Sequence, residues 1–148
     1  MLVPDTDDLY RSVREGEYRA VGGRVTFSAS AFGDRERKPS VDMSSIRKDA
    51  REARKSTEQG VAKLVAGEVR QSCKIPIYDK KGKQTGEHSV DAIHRPIKDD
   101  PNGDPDNPAH CQIECHPTID NDGRFKRLKE ALAAMASKYG WVVTPGAT

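Results

Sequence analysis

The sequence predicts an α+β domain with a mainly antiparallel sheet, and three observations carry that reading. Short apolar runs of period two outnumber helical ones, and the one long run of helical period lies near the C-terminus. Strand-like and helix-like segments also fail to alternate regularly, which argues against a parallel β-α-β architecture. About five or six strands and two or three helices are expected. With 148 residues the chain has the size of one domain over 1–148 and can bury one modest core.

In order along the chain, Asp5, Asp7 and Asp8 stand where acids favour a helix N-terminus, and Gly16 suits a helix C-cap. A short helix is expected there, although Leu9-Tyr10-Arg11 could equally open a strand. Gly22-Gly23 marks a turn, after which Val25 and Phe27 alternate with Arg24, Thr26 and Ser28 as in a half-buried strand. Phe32 returns to the core, "GDRERK" is too charged to be buried, and Pro39 to Met43 gives a second extended piece. Ser44 or Ser45 can cap a helix through "SSIRKDAREARKSTEQ", whose apolar edge is thin: Ile46, Ala50 and Ala53, with Ala62 beyond it.

"VAKLVAGEVR" is open between helix and strand. "CKIPIYD" and "EHSVDAIHRPI" alternate as strands, joined by a hairpin in which Gly82 and Gly86 are available for positive φ. The Asp- and Pro-rich stretch 98–108 reads as a flexible loop, and "AHCQIECH" follows it as a strand. After the capping candidates Asp120, Asn121 and Asp122, the residues Phe125, Leu128, Leu132 and Met135 recur at helical spacing until Gly140. Trp141-Val142-Val143 is expected to add a short terminal strand.

Composition narrows the function. Hydrophobic residues make up 34% and charged residues 32% of the chain, and mean hydropathy is -0.80, so the core is small and the loops polar. The 25 basic and 23 acidic side chains leave a net charge of +2, which gives no global attraction to nucleic acid or anionic lipid. Any anion site must be local. No apolar run is long enough to cross a bilayer and the first residues carry no secretion pattern, so a cytoplasmic address is expected. The three cysteines, Cys73, Cys111 and Cys115, then read as reduced thiols.

Two stretches bear candidate chemistry. On a strand from Arg24, the side chains of Arg24, Thr26, Ser28 and Ser30 share one face, and Arg35, Arg37 and Lys38 follow on the adjoining loop. Guanidinium and hydroxyl donors of this kind hold phosphate or carboxylate, while Asp34 and Glu36 between them weaken the local field. In "HCQIECH", alternation places Cys111, Ile113 and Cys115 on one face and His110, Gln112, Glu114 and His116 on the other. That separates thiols from imidazoles and disfavours zinc, while His110 beside Glu114 has the makings of an acid/base pair. Asp100, Asn102 and Asp104 mimic a calcium loop, but Pro105 and Cys111 stand where glycine and glutamate are needed. "RKDAREARK" and "RFKRLKE" read as wet, ion-paired helix faces, and without interleaved aromatics they give no base-stacking platform.

Gly23-Arg24, Ala31-Phe32-x-Asp34-Arg35, Pro39-Ser40-Val41-Asp42 and Asn107-Pro108-Ala109-His110-x-x-Ile113 together resemble a recurrent pattern of small uncharacterised bacterial proteins. That resemblance marks Arg24, Phe32, Asp34, Arg35, Ser40, Asp42 and His110 without implying an activity. Leu9-Tyr10-Arg11, Gly22-Gly23-Arg24 and Ser28-x-Ser30 are also similar to the opening of RES-type ADP-ribosyltransferase-like toxins, although Val25-Thr26 replaces the family's Trp-Asn. The likeness implies an NAD-using enzyme in which Arg11 or Arg24 binds the diphosphate, Ser28 and Ser30 order the site, and Glu114 or His110 supplies acid/base function.

The leading expectation is a binding or accessory domain of a bacterial operon, of a defence or mobile-element kind, that takes an acidic or phosphate-bearing partner. Arg24, Ser28, Ser30, His110 and Glu114 are its candidate chemical residues, and Arg11, Arg35, Arg37 and Asp42 its candidate ligand-binding residues. No resident cofactor or metal is expected. The alternatives are the NAD- or nucleotide-using enzyme and a zinc-stabilised module on Cys73, Cys111, Cys115 and His110 or His116.

Overall fold

The computed structural model describes residues 2–148 and forms one α+β domain. Eight strands and two α-helices follow in order: β1 (Asp8–Val13), β2 (Tyr18–Val21), β3 (Arg24–Phe27), β4 (Ser40–Met43), β5 (Gly60–Val65), α1 (Ala66–Ser72), β6 (Lys74–Tyr78), β7 (Gln84–His94), β8 (His110–His116) and α2 (Asp122–Tyr139). Short 3-10 turns occupy Ala29–Phe32 and Ala50–Ala53. Six strands form one antiparallel sheet in the order β5-β1-β4-β8-β7-β6, and β2 and β3 form a separate hairpin.

The connection from β5 to β6 sets the shape of the sheet. These strands are its two edges, and in a flat sheet of this width they would stand about 24 Å apart. Only α1 and Cys73 join them, and a helix of seven residues spans roughly 10 Å. The sheet must therefore curl until its edges approach, which is the form it takes. Leu9, Val13, Val41, Met43, Leu64, Ile75, Val90, Ala92, Cys111 and Ile113 fill its inner side. The same core receives Phe125, Leu128, Leu132 and Met135 of α2, the stripe expected from helical spacing. α2 packs against the 29–32 turn, β3, β5 and β6. Asn121 caps it by accepting from the Arg124 amide at 2.9 Å, and Gly140 ends it at φ 71°.

Four expectations are corrected. The helix expected near Asp5 to Gly16 is strand β1, because Asp7 is buried and accepts from the backbone and hydroxyl of Ser45 instead of capping a helix. Gly16, at φ 88°, then serves the turn into β2. The helix expected over 44–59 reduces to Ala50–Ala53. Ser44 accepts from the Asp8 amide and Ser45 binds Asp7, so both candidate caps are committed to β1, and the thin apolar edge offers too little area to hold a helix. The strand from Arg24 stops at Phe27, and Ser28 leads into the 29–32 turn. The terminal strand is a single bridge between Val143 and Val61.

The open segment 61–70 resolves into both readings, strand to Val65 and helix from Ala66. Only Gly82 of the two hairpin glycines takes positive φ. The 98–108 loop is cinched by Asp100, which accepts from the amides of Asn102 and Asp104, and by the bridge between Ile97 and Asn107. No helix among the described residues is long and apolar enough to cross a membrane.

Candidate functional site

The row beginning at Arg24 is open to water while its neighbour Phe27 is buried, so Arg24, Thr26, Ser28 and Ser30 do form an exposed polar edge. Ser28 and Ser30 bond each other at 2.9 Å, and Ser28 also donates to the carbonyl of Glu17. Arg24 lies away from them, over a cleft of about 550 Å³ between the β2–β3 hairpin and the C-terminal end of α2, lined also by Thr26, Ser137, Tyr139 and Trp141.

The loop after Phe32 is folded by Asp34, whose Oδ2 accepts from the amides of Glu36 and Lys38 at 2.9 Å each. This spends the acid on backbone and turns the basic side chains outward. Arg37 takes φ 61° and lays its guanidinium on Asp122 of α2 at 2.8 Å, while Arg35 is exposed. The loop thus meets the start of α2, where a cleft of about 710 Å³ is lined by Pro76, Tyr78, Asn121, Gly123, Arg124, Lys126, Arg127 and Glu130. Arg127 stands over the Tyr78 ring at 5.4 Å, and Lys126 and Arg127 enter no ion pair among the described residues. "RFKRLKE" is therefore not the internally paired face expected from its acids. The sequence signal was present in its cations, but only the docking of α2 beside β6 and the 33–38 loop gathers three of them, Arg124, Lys126 and Arg127, at one cleft.

Arg11 is occupied elsewhere. Its three nitrogens donate at 2.8 Å to the carbonyls of Ala31, Gly33 and Ser40, and its guanidinium stands 5.9 Å from the Phe32 ring centre. Burial lowers its pKa from the ordinary value, with Glu17 and Asp34 acting in the opposite sense. Asp42 is likewise buried, accepting from Arg47 at 3.1 Å and Asn107 at 2.8 Å, so it closes loops over β4 instead of facing a ligand.

No family model, curated protein or solved structure matches this chain. Its chemistry must be read from its own geometry.

On the outer face of the sheet, His110 bonds Ser40 Oγ through Nε2 at 3.0 Å and the Arg95 carbonyl through Nδ1 at 2.7 Å. Arg95 in turn grips Glu114 with two nitrogens, at 2.9 and 3.2 Å. Arg11, Ser40, His110, Arg95 and Glu114 are thereby linked in one chain of hydrogen bonds, whereas Ser28 and Ser30 bond each other and Arg24 is exposed at the cleft beside the β2–β3 hairpin. Glu114 is engaged as an ion-pair partner of Arg95 and is not a free carboxylate in this structure.

Alternation in β8 is as expected: Cys111 and Ile113 are buried on one side and His110 and Gln112 lie on the other. Burial pushes the thiols up from the ordinary value of 9.0, to about 11 for Cys73 and about 12 for Cys111 and Cys115. All three cysteines are free. Among the described residues no three His, Cys, Asp or Glu side chains gather as a metal-binding set.

Proposed function

We propose that this domain is a binding or accessory module that recognises an acidic or phosphate-bearing segment of a partner protein. Its recognition surface combines the 33–38 loop with the first turns of α2 and Tyr78. The reading rests on one observation: the cleft between β6 and α2 is lined by Arg124, Lys126, Arg127 and Glu130, and of its three cations only Arg124 is ion-paired, to Asp120 at 3.7 Å, in a protein whose overall charge is only +2. A local cationic excess on a nearly neutral molecule attracts oxyanions to that place and not to the whole surface. Guanidinium forks at Arg35, Arg37, Arg124 and Arg127 suit carboxylate or phosphate groups, and the Tyr78 ring adds an apolar floor.

Fluorescence anisotropy with a labelled octaglutamate peptide and a labelled phosphoserine peptide, at low salt, tests this reading and distinguishes the two oxyanions. The double variant Arg124→Glu/Arg127→Glu should weaken binding of the preferred peptide at least about ten-fold, since reversing two contacting charges exceeds 1.4 kcal/mol. Arg35→Glu/Arg37→Glu should weaken it too, while Lys55→Glu, on the 54–59 loop, should leave it unchanged. Binding that survives both double variants would place recognition elsewhere.

A further inference from the structure

Ser40 opens β4 and His110 opens β8, and the register that pairs Ser40 with Gln112 and Asp42 with His110 makes them diagonal neighbours on the outer face. A carbonyl oxygen can only accept, so the 2.7 Å bond to Arg95 requires the proton of the neutral imidazole to sit on Nδ1. The lone pair of Nε2 then points at Ser40 Oγ, 3.0 Å away, and the hydroxyl donates to it. This is the arrangement by which an imidazole draws the proton from an attacking hydroxyl, with the Arg95 carbonyl in the orienting place that a carboxylate holds in a triad.

Each part is braced. The Arg95 amide donates back to the His110 carbonyl at 2.9 Å, the Arg95 guanidinium is pinned by Glu114, and the Ser40 carbonyl is held by Arg11. The nearby carboxylates, Asp42 and Glu114, are both ion-paired, so neither competes for the imidazole. Ser40 and His110 are half-buried and reachable from solvent, and Gln112, opposite Ser40 in register, carries a carboxamide on the same face of the sheet.

We propose that Ser40 and His110 are a nucleophile and general base that cleave an activated carboxylic ester. Ser40 Oγ attacks the carbonyl carbon as its proton passes to His110 Nε2. The tetrahedral adduct then collapses, the bond to the leaving oxygen breaks, and that oxygen takes the proton from His110. Water next attacks the acyl-serine, again giving a proton to Nε2, and Ser40 recovers it as the carboxylic acid departs.

The test treats the full folded chain with a fluorophosphonate probe, which forms a phosphorus–oxygen bond to an activated serine and releases fluoride, and follows hydrolysis of 4-nitrophenyl acetate in parallel. Peptide mapping should find the probe on Ser40 and not on the exposed Ser28 or Ser30, with labelling lost on heat denaturation. Ser40→Ala should abolish labelling and ester hydrolysis, and His110→Gln should slow both about 100-fold in a protein that still melts cooperatively. A folded wild-type protein whose Ser40 remains unmodified would overturn the proposal, whether or not the variants fold. Labelling of a folded His110→Gln variant at the wild-type rate would overturn it equally.

Discussion

Arg11 reaches from β1 into the 31–40 segment and Arg37 reaches out of that segment to α2, and they do opposite work. Each of the three Arg11 nitrogens donates to a carbonyl of the segment from Ala31 to Ser40 and so ties that segment to β1. Arg37, within the same segment, holds the exposed carboxylate of Asp122, whose side chain is 93% accessible. An arginine is available to a ligand only if it has donors to spare or a pairing weak enough to exchange, and residue type alone does not reveal which. Arg11 is committed to backbone carbonyls, whereas Arg37 is held only by a solvent-exposed partner.

The sharpest way to break this contrast is Arg11→Ala, which strands three carbonyls in a part-buried site. It should cost about 3 kcal/mol or more by denaturant unfolding, with Arg11→Lys recovering little because one ammonium cannot replace a planar fork spanning three acceptors. An effect near zero would make Arg11 as dispensable as a surface cation. Gly60→Ala comes next. A methyl group there overlaps the Trp141 ring, which is boxed edge-on by Tyr18 and Phe27 at 4.8 and 4.9 Å. A loss of about 1–3 kcal/mol is expected.

The thiols give a pH signature of the inner side. Their folded pKa values are raised, so the stability they confer is complete below the ordinary thiol pKa of 9.0 and is lost as pH rises through about 11 to 12. Each thiol that ionises only on unfolding adds at most about 1.4 kcal/mol of destabilisation per pH unit in that window. Cys73→Ala should therefore flatten the alkaline fall measured by urea midpoint, and an unchanged slope would show that Cys73 is not buried as described.

Asn121→Ala removes the cap of α2 and should cost about 1 kcal/mol. At the weak end, Arg37→Ala should alter stability by under about 0.5 kcal/mol, since its partner is solvent-exposed. A large loss there would erase the difference between the two arginines.

What was legible in the sequence was whatever a local pattern decides. The stripe of α2, the alternation of β6, β7 and β8, and the Gly22-Gly23 turn follow from spacing alone. Long-range partners decided the rest. Asp7, Ser44 and Ser45 look like caps, but Ser45 bonds Asp7 and Ser44 bonds the Asp8 amide across 36 to 38 residues, turning two expected helices into a strand and a loop. The exposure of Arg24 and Thr26 was readable because Phe27 fixes the strand phase, whereas Ser28 and Ser30 are exposed by a 3-10 turn that the alternation did not foresee. The fates of Arg11, Asp42 and Glu114 were not, because carbonyls and counter-ions brought in by tertiary folding consumed their hydrogen-bonding capacity. The α2 cations read as a self-paired face because their i,i+4 acids were visible, while β6 and the 33–38 loop, which complete the surface, were not.

The most direct test of the recognition surface is a 1H–15N correlation titration of the full chain with octaglutamate. The largest shifts should fall on the amides of Arg35, Arg37, Tyr78 and the stretch 121–130, and they should vanish in Arg124→Glu/Arg127→Glu. Shifts centred instead on Arg24 and Trp141, or an octaglutamate titration and a parallel phosphoserine-peptide titration that both leave the spectrum unmoved at low salt, would contradict the proposed surface.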